Sequence, residues 1–138
     1  MQEKYNDPTP QRPEGNRMID GPLVSIDLPL FMEQIKEEKT WKDGKRNAIT
    51  LFKTNEMRMV LIALHEGSDM ARHVADGMIN VQVLEGRMQF TTDHQSVVLG
   101  KGQMIVLHEQ IIHSVKAIQE TIFLLTVTKP PAVRRNHL

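Results

Sequence analysis

The chain contains no cysteine. Disulfide staples, thiol nucleophiles and thiolate metal sites are therefore excluded. Aromatic residues make up only 4%, too few for a carbohydrate site built on stacking platforms. Neither sign of charge dominates: Lys+Arg and Asp+Glu both number 17, for a formal net charge of zero. Such a balance offers no electrostatic footprint for nucleic acid or an anionic membrane surface. Long hydrophobic runs are missing too. The longest spans Met59 to Leu64, far short of the roughly 18 residues that suggest a membrane span. The N-terminal stretch lacks the apolar core of a signal peptide. The expectation is a soluble cytoplasmic protein with no membrane or nucleic-acid partner.

What is present suits one globular domain. The chain has 138 residues, 40% of them apolar. A domain of this size buries roughly 68% of the surface its unfolded chain exposes. It can hold a core without disulfides or a structural metal.

Residues 1–22 hold four of the seven prolines and many charges, which predicts an extended polar arm. Residues 23–47 contain one helical pattern, "SIDLPLFMEQIKEE". Asp27 or Ser25 can cap it, and Pro29 is tolerated in a first turn. Leu28, Phe31, Met32 and Ile35 then share one face. A turn anchored by Trp41 is expected at "WKDGK". Residues 129–138 read as a C-terminal tail, whose Lys129, Arg134 and Arg135 form a solvated basic cluster.

From Ala48 the pattern becomes β. Strands are expected at 48–52, 57–64, 78–84, 87–92, 96–99, 103–108, 113–117 and 121–127. Turn residues separate them, notably Glu66-Gly67, Asp76-Gly77, Glu85-Gly86 and Gly100-Lys101-Gly102. Short, closely spaced strands of this kind predict a sandwich or barrel. "MVLIAL" and "IFLLTV" are apolar on both faces, so both faces need cover. One can line a barrel interior. The other needs the helix, the arm or a second subunit, and a homodimer is the expectation.

Two glycine-to-histidine spacings sharpen the picture. Gly67 precedes His73 by six positions, and Gly86 follows at the end of "HVADGMINVQVLEG". Gly102 precedes His108 by six positions, and His113 follows. Over residues 48–128 this pattern resembles the two motifs of the cupin superfamily. The resemblance implies an all-β fold, a cupin-like jelly-roll β-barrel, with the short N-terminal helix and extended arm packed outside it. It also implies a metal site made of two histidines and a glutamate from the first motif and one histidine from the second. The matching positions here are His73, Ala75, Ile79 and His113. Two of the four donors are therefore absent. The Pro, Gly and Asn positions of the second motif hold His108, Gln110 and Ala117. The departures fall on the chemistry, while the scaffold glycines stay.

His65, Asp76, Asn80 and His108 are the available substitutes, and no spacing compels any of them into a four-ligand site. Asn80 faces away from Ile79 in a regular strand. "HEQIIH" is not a zinc-protease helix motif, because its histidines lie five apart in a β context, and "GKGQMI" lacks the later residues of a phosphate loop. Arg58 and Arg72 are candidates to meet an anionic ligand, although surface arginines are the commoner outcome. Met57 and Met59 alternate onto one strand face.

The function expected is small-molecule binding inside the barrel. His73 and His113 would form the polar wall, and Met59, Ile79, Val81 and Val83 the apolar lining. His73 and His113 would hold a divalent metal (Zn, Ni, Fe or Cu) weakly or not at all. The alternatives are a metal-dependent dioxygenase or isomerase using the same two histidines, and an interaction module whose barrel is filled.

Overall fold

A computed structural model of the chain describes residues 4–5 and 17–130. Most of the arm expected over 1–22, and all but two residues of the tail, lie outside the described residues. Within the arm, β1 (Lys4–Tyr5) pairs antiparallel with β2 (Met18–Asp20).

The helical pattern forms α1 (Leu28–Glu37). Asp27 has extended backbone angles, and its carboxylate accepts from the Leu30 amide at 3.2 Å. This satisfies one of the amides that a helix start leaves without a partner. Pro29 sits in the first turn, where its missing N–H costs nothing. The segment expected to be a turn at Trp41 instead forms a second short helix, α2 (Lys39–Asp43). Glu38 ends α1 and starts α2 with extended backbone, so the chain bends there without unravelling. Asn47 secures the bend. Its buried side-chain amide donates to the Ile35 carbonyl at 3.0 Å and to the Glu38 carboxylate at 2.9 Å.

The barrel follows as β3 (Arg46–Lys53), β4 (Met57–Leu64), β5 (Asp69–His73), β6 (Met78–Glu85), β7 (Arg87–Thr92), β8 (Ser96–Gly100), β9 (Met104–Leu107), β10 (His113–Ala117) and β11 (Thr121–Thr128). Eight of these nine match the expected strands to within two residues. β5 is the addition. Its sequence, DMARH, is mostly exposed, so it carries no hydrophobic alternation to announce it.

Two antiparallel sheets face one another. One has the order β3-β4-β11-β6-β9, the other β5-β10-β7-β8. The fold is all-β, a jelly roll with helices on one outer face. Side-chain alternation along the five-stranded sheet separates two cores. Ile62, Leu64, Ile79, Val81, Val83 and Phe123 point inward and meet Met88, Phe90, Leu99, Val115 and Ala117 of the opposite sheet. Ile49, Leu51, Leu61, Ala63, Ile122 and Leu124 point outward and are covered by Ile35 and Trp41, with Leu28, Phe31 and Met32 packed alongside. Each Val, Leu, Ile, Met or Phe side chain among them contributes about 1.5–3 kcal/mol on full removal from water, before entropy is charged. The outer cover is thus supplied in large part by the chain's own helices.

Two turns are pressed together at one end of the barrel. Gly86, between β6 and β7, has φ +89°, and a Cβ there would lie 2.1 Å from the Glu120 carbonyl oxygen and 2.7 Å from Thr121 Oγ1. The close approach brings the Glu85 and Glu120 carboxylates near each other. Lys36 of α1 bridges both, at 3.2 and 2.9 Å, which relieves their repulsion and ties helix to barrel. These hydrogen bonds, chiefly that to Glu120, hold the Lys36 pKa above its ordinary value.

Gly67 also has positive φ, +82°, but nothing lies within 4 Å of its missing Cβ. Alanine substitution at the two glycines therefore separates backbone strain from collision. Gly67→Ala should cost about 1–2 kcal/mol, the ordinary left-handed penalty. Gly86→Ala should cost about 4 kcal/mol or more, since the clash is with backbone that cannot swing aside. Urea denaturation of both variants measures the difference, and equal losses would contradict the close approach.

Candidate functional site

The inward faces of the two sheets do not meet along their whole length. At one end they leave a cavity of about 900 Å³, open to solvent. Ile62, Ile79, Val81, Phe123, Leu125 and Val127 form its wall on the five-stranded side. Met70, His73, Phe90, His113 and Val115 form the facing wall, and the β5–β6 loop from Val74 to Gly77 contributes to the rim. Lys53, Glu56, Arg58 and Lys129 stand at the mouth.

His73 ends β5 and His113 begins β10, and antiparallel pairing puts the two directly opposite each other. Their rings meet edge to face with centroids 4.2 Å apart. Phe90 stacks on His113 from the neighbouring strand, 5.4 Å between centroids. Each imidazole Nδ1 lies against a carbonyl two residues earlier in the chain: His73 against Ala71 at 2.7 Å, and His113 against Ile111 at 3.0 Å. A carbonyl can only accept, so Nδ1 carries the proton in both rings. The neutral ring then presents Nε2 as an unprotonated acceptor. The two residues differ in setting, since His113 is 4% exposed whereas His73 is open to solvent. Burial lowers the His113 pKa below the usual histidine value. The Ile111 carbonyl opposes that shift, and the nearby His73 adds to it.

The remaining residues expected at the site divide into three groups. Ile79 and Val81 line the cavity. Val83 is fully buried in the same inward core but lies outside the cavity wall. Met59 does not face the cavity; it packs on the outer side with the helix-covered cluster. Alternation explains the correction. Val60, Ile62 and Leu64 belong to the inward set, so the odd positions of β4 turn outward. Met57, at the strand end, reaches the mouth without sharing a wall with Met59.

None of the four substitute ligands joins the histidine pair. His65 stacks flat on Trp41, centroids 3.4 Å apart, with Nε2 2.8 Å from the Trp41 carbonyl; it locks α2 to the end of β4. Asn80 faces away from the cavity and donates to the Ile105 carbonyl at 3.2 Å. His108 is exposed and outside the cavity wall. Asp76 is at the rim, but its Oδ1 accepts from Gln110 Nε2 at 3.3 Å. Among the described residues no three His, Cys, Asp or Glu side chains converge on a common point. The donor set does not fit a four-ligand metal centre: Ala75 and Ile79 offer only hydrocarbon.

The sequence marks Gln110 only as a departure from the motif, and the structure gives it a role. It is the one non-glycine among the described residues with positive φ, +63°, and it occupies the position where the cupin motif carries glycine. Its amide donates to the Ala75 carbonyl at 3.0 Å and its side chain reaches Asp76. The loop before His113 is thereby fastened to the loop after His73. Residues in this backbone region carry strain of order 1–3 kcal/mol and persist where their surroundings over-determine them.

Neutral His113 is favoured in the folded chain and freely protonated in the unfolded one. Its contribution to stability is complete above the unfolded pKa of about 6.5 and is lost as pH falls through the lowered folded value. The melting temperature should therefore drop on acidification below that point. His113→Gln should make the drop shallower, and thermal melts across the pH range check this.

A family model for the AraC-like ligand binding domain matches residues 58–137. Among solved structures, a conserved protein of unknown function from Streptococcus pyogenes is 29% identical, with a TM-score of 0.60 over 63% of this chain and 76% of that one. A cupin 2 conserved barrel domain protein from Leptotrichia buccalis is 26% identical, also with a TM-score of 0.60, over 63% of this chain and 42% of that one. Salicylate 1,2-dioxygenase from Pseudoaminobacter salicylatoxidans aligns over 80% of this chain with a TM-score of 0.69. At 17% identity, and with only 34% of the dioxygenase covered, that likeness is one of fold. No curated protein matches the sequence.

Proposed function

The chain belongs to the AraC-like ligand-binding domains of the cupin superfamily, and on that premise we propose that its barrel binds a small organic molecule without a family-type metal centre. The observation that carries this reading is the cavity itself. It is about 900 Å³ and mainly apolar inside, with two imidazole acceptors on one wall. Pockets of roughly 300–1,000 Å³ with a few placed polar groups suit small ligands. Such an opening speaks against a barrel filled by its own side chains. His73 and His113 are the orienting contacts, and Ile79 and Val81 supply apolar surface.

The competing reading is a metal-dependent dioxygenase or isomerase. It needs donors that Ala75 and Ile79 do not have. Two imidazoles alone would leave most positions on Zn, Ni, Fe or Cu to water, with weak affinity. Elemental analysis after dialysis without chelator should find well under one metal per chain. Near-stoichiometric metal, lost in both His73→Ala and His113→Ala, would overturn the proposal in favour of the metalloenzyme.

We further propose that the protein pairs with a second copy of itself through β9. This strand has only β6 as a neighbour, and its outward Met104 and Val106 are 51% and 64% exposed. Unpaired edges with apolar side chains invite association. Light scattering at micromolar concentration should give twice the 15.8 kDa chain mass, and Val106→Glu should shift it toward that single-chain mass. A wild-type monomer would refute the pairing. No helix among the described residues is long and apolar enough to cross a membrane, which agrees with the soluble, cytoplasmic setting we assign to this binding role. The functional unit is taken as residues 23–128, with helices and barrel together.

A further inference from the structure

We infer that the cavity selects a compact organic carboxylate bearing a hydroxyl group, with Arg58 at the mouth holding the carboxylate and the His73–His113 pair accepting from the hydroxyl. The inference rests on the reading that the cavity binds a small molecule, and it names the chemical class.

Arg58 stands out by its place on the strand. The inward-facing row of β4 runs Leu64, Ile62, Val60, and Arg58 is the next position in that alternation. It lies in register with Val127 of β11, which also lines the cavity. An arginine thus continues an apolar interior row out to the opening. Its guanidinium makes no hydrogen bond or ion pair among the described residues. Other exposed charged side chains do find partners, as Arg72 does with Asp93 at 2.8 Å. Lys53 and Lys129 share the mouth with Arg58 and are likewise without ion pairs among the described residues. Against these three cations stand Glu56 and Asp76, and Asp76 is engaged by Gln110. The mouth therefore has a surplus of positive charge beside an apolar chamber, where a field is less screened than in open water.

Carboxylate is the natural complement to that surplus. The guanidinium fork matches a carboxylate with two parallel N–H···O bonds, stronger than neutral hydrogen bonds. Within the cavity the requirement is of the other kind. With Nδ1 committed to backbone carbonyls, each ring in its neutral form offers only Nε2, as an acceptor, so the ligand must bring a donor there. A hydroxyl meets that need, whereas a second carboxylate does not. The rest of the lining, including Phe90, Phe123, Val81 and Leu125, requires an apolar body.

Isothermal titration with meta- and para-hydroxybenzoate, and with the matching uncharged amides, tests the assignment on the whole chain. At least one acid should bind about tenfold tighter than its amide, the worth of one charge-assisted pair. Arg58→Gln should abolish that preference while leaving amide affinity unchanged. Arg58→Lys should restore part of it, and Arg87→Gln, on β7 away from the cavity, should have no effect. Removing the hydroxyl, with benzoate as probe, should weaken binding to wild type but not to His113→Gln. Equal binding of acid and amide by wild type, or an acid preference that survives in Arg58→Gln, overturns the carboxylate assignment and leaves the binding cavity standing. Failure of every probe to bind at millimolar concentration overturns both.

Discussion

The structure depends on one constraint: β4 and β11 pair along their full length and are apolar on both faces. A sheet of that kind is insoluble alone, and each face must be removed from water. The inward face is met by the second sheet, which closes the jelly roll. The outward face is met by α1 and α2, with Ile35 fully buried at their centre. Every other feature follows from serving those two faces. The bend at Glu38, the Asn47 hydrogen bonds and the Lys36 bridge keep the helices in place on the outside. Where the inner faces separate at one end, the same alternation that builds the core lines a cavity.

Much of this was legible in the sequence, and the misses have physical causes. Period-two alternation identified eight strands because their side chains divide between two environments. It failed at β5, whose five residues are almost all in one environment, the solvent. Register, not hydrophobicity, makes that segment a strand, through pairing with β10. α2 was missed because Asp43-Gly44 does end a helix, but the turn of helix ahead of it is too short to show a period. Met59 was placed on the wrong face for a related reason. In "MVLIAL" both faces are apolar, so alternation yields two sets without saying which is inside. The helices decide that, and their docking is a tertiary fact.

The site was half legible. His73 and His113 could be brought together from the motif resemblance, and the antiparallel pairing of β5 with β10 sets them opposite each other. Their tautomers could not, because these rest on carbonyls of Ala71 and Ile111 whose direction only the folded backbone sets. Arg58 was visible as a charge but not as the end of an interior row. Gln110 was visible as a departure from the cupin pattern. Its φ of +63° puts the backbone in the left-handed region that glycine favours, with Ala75 and Asp76 as its attachments.

The helical cover changes what counts as the smallest foldable piece. A fragment trimmed to the barrel strands would present Leu61, Ala63, Ile122 and Leu124 to water as one continuous oily strip. Such a fragment would be a sticky solute, prone to capture any amphipathic segment nearby. Residues 28–43 therefore act as a shield synthesised ahead of the surface it protects. During translation the shield emerges first and waits, solvated and marginal, until the last strand of the sheet arrives to receive it.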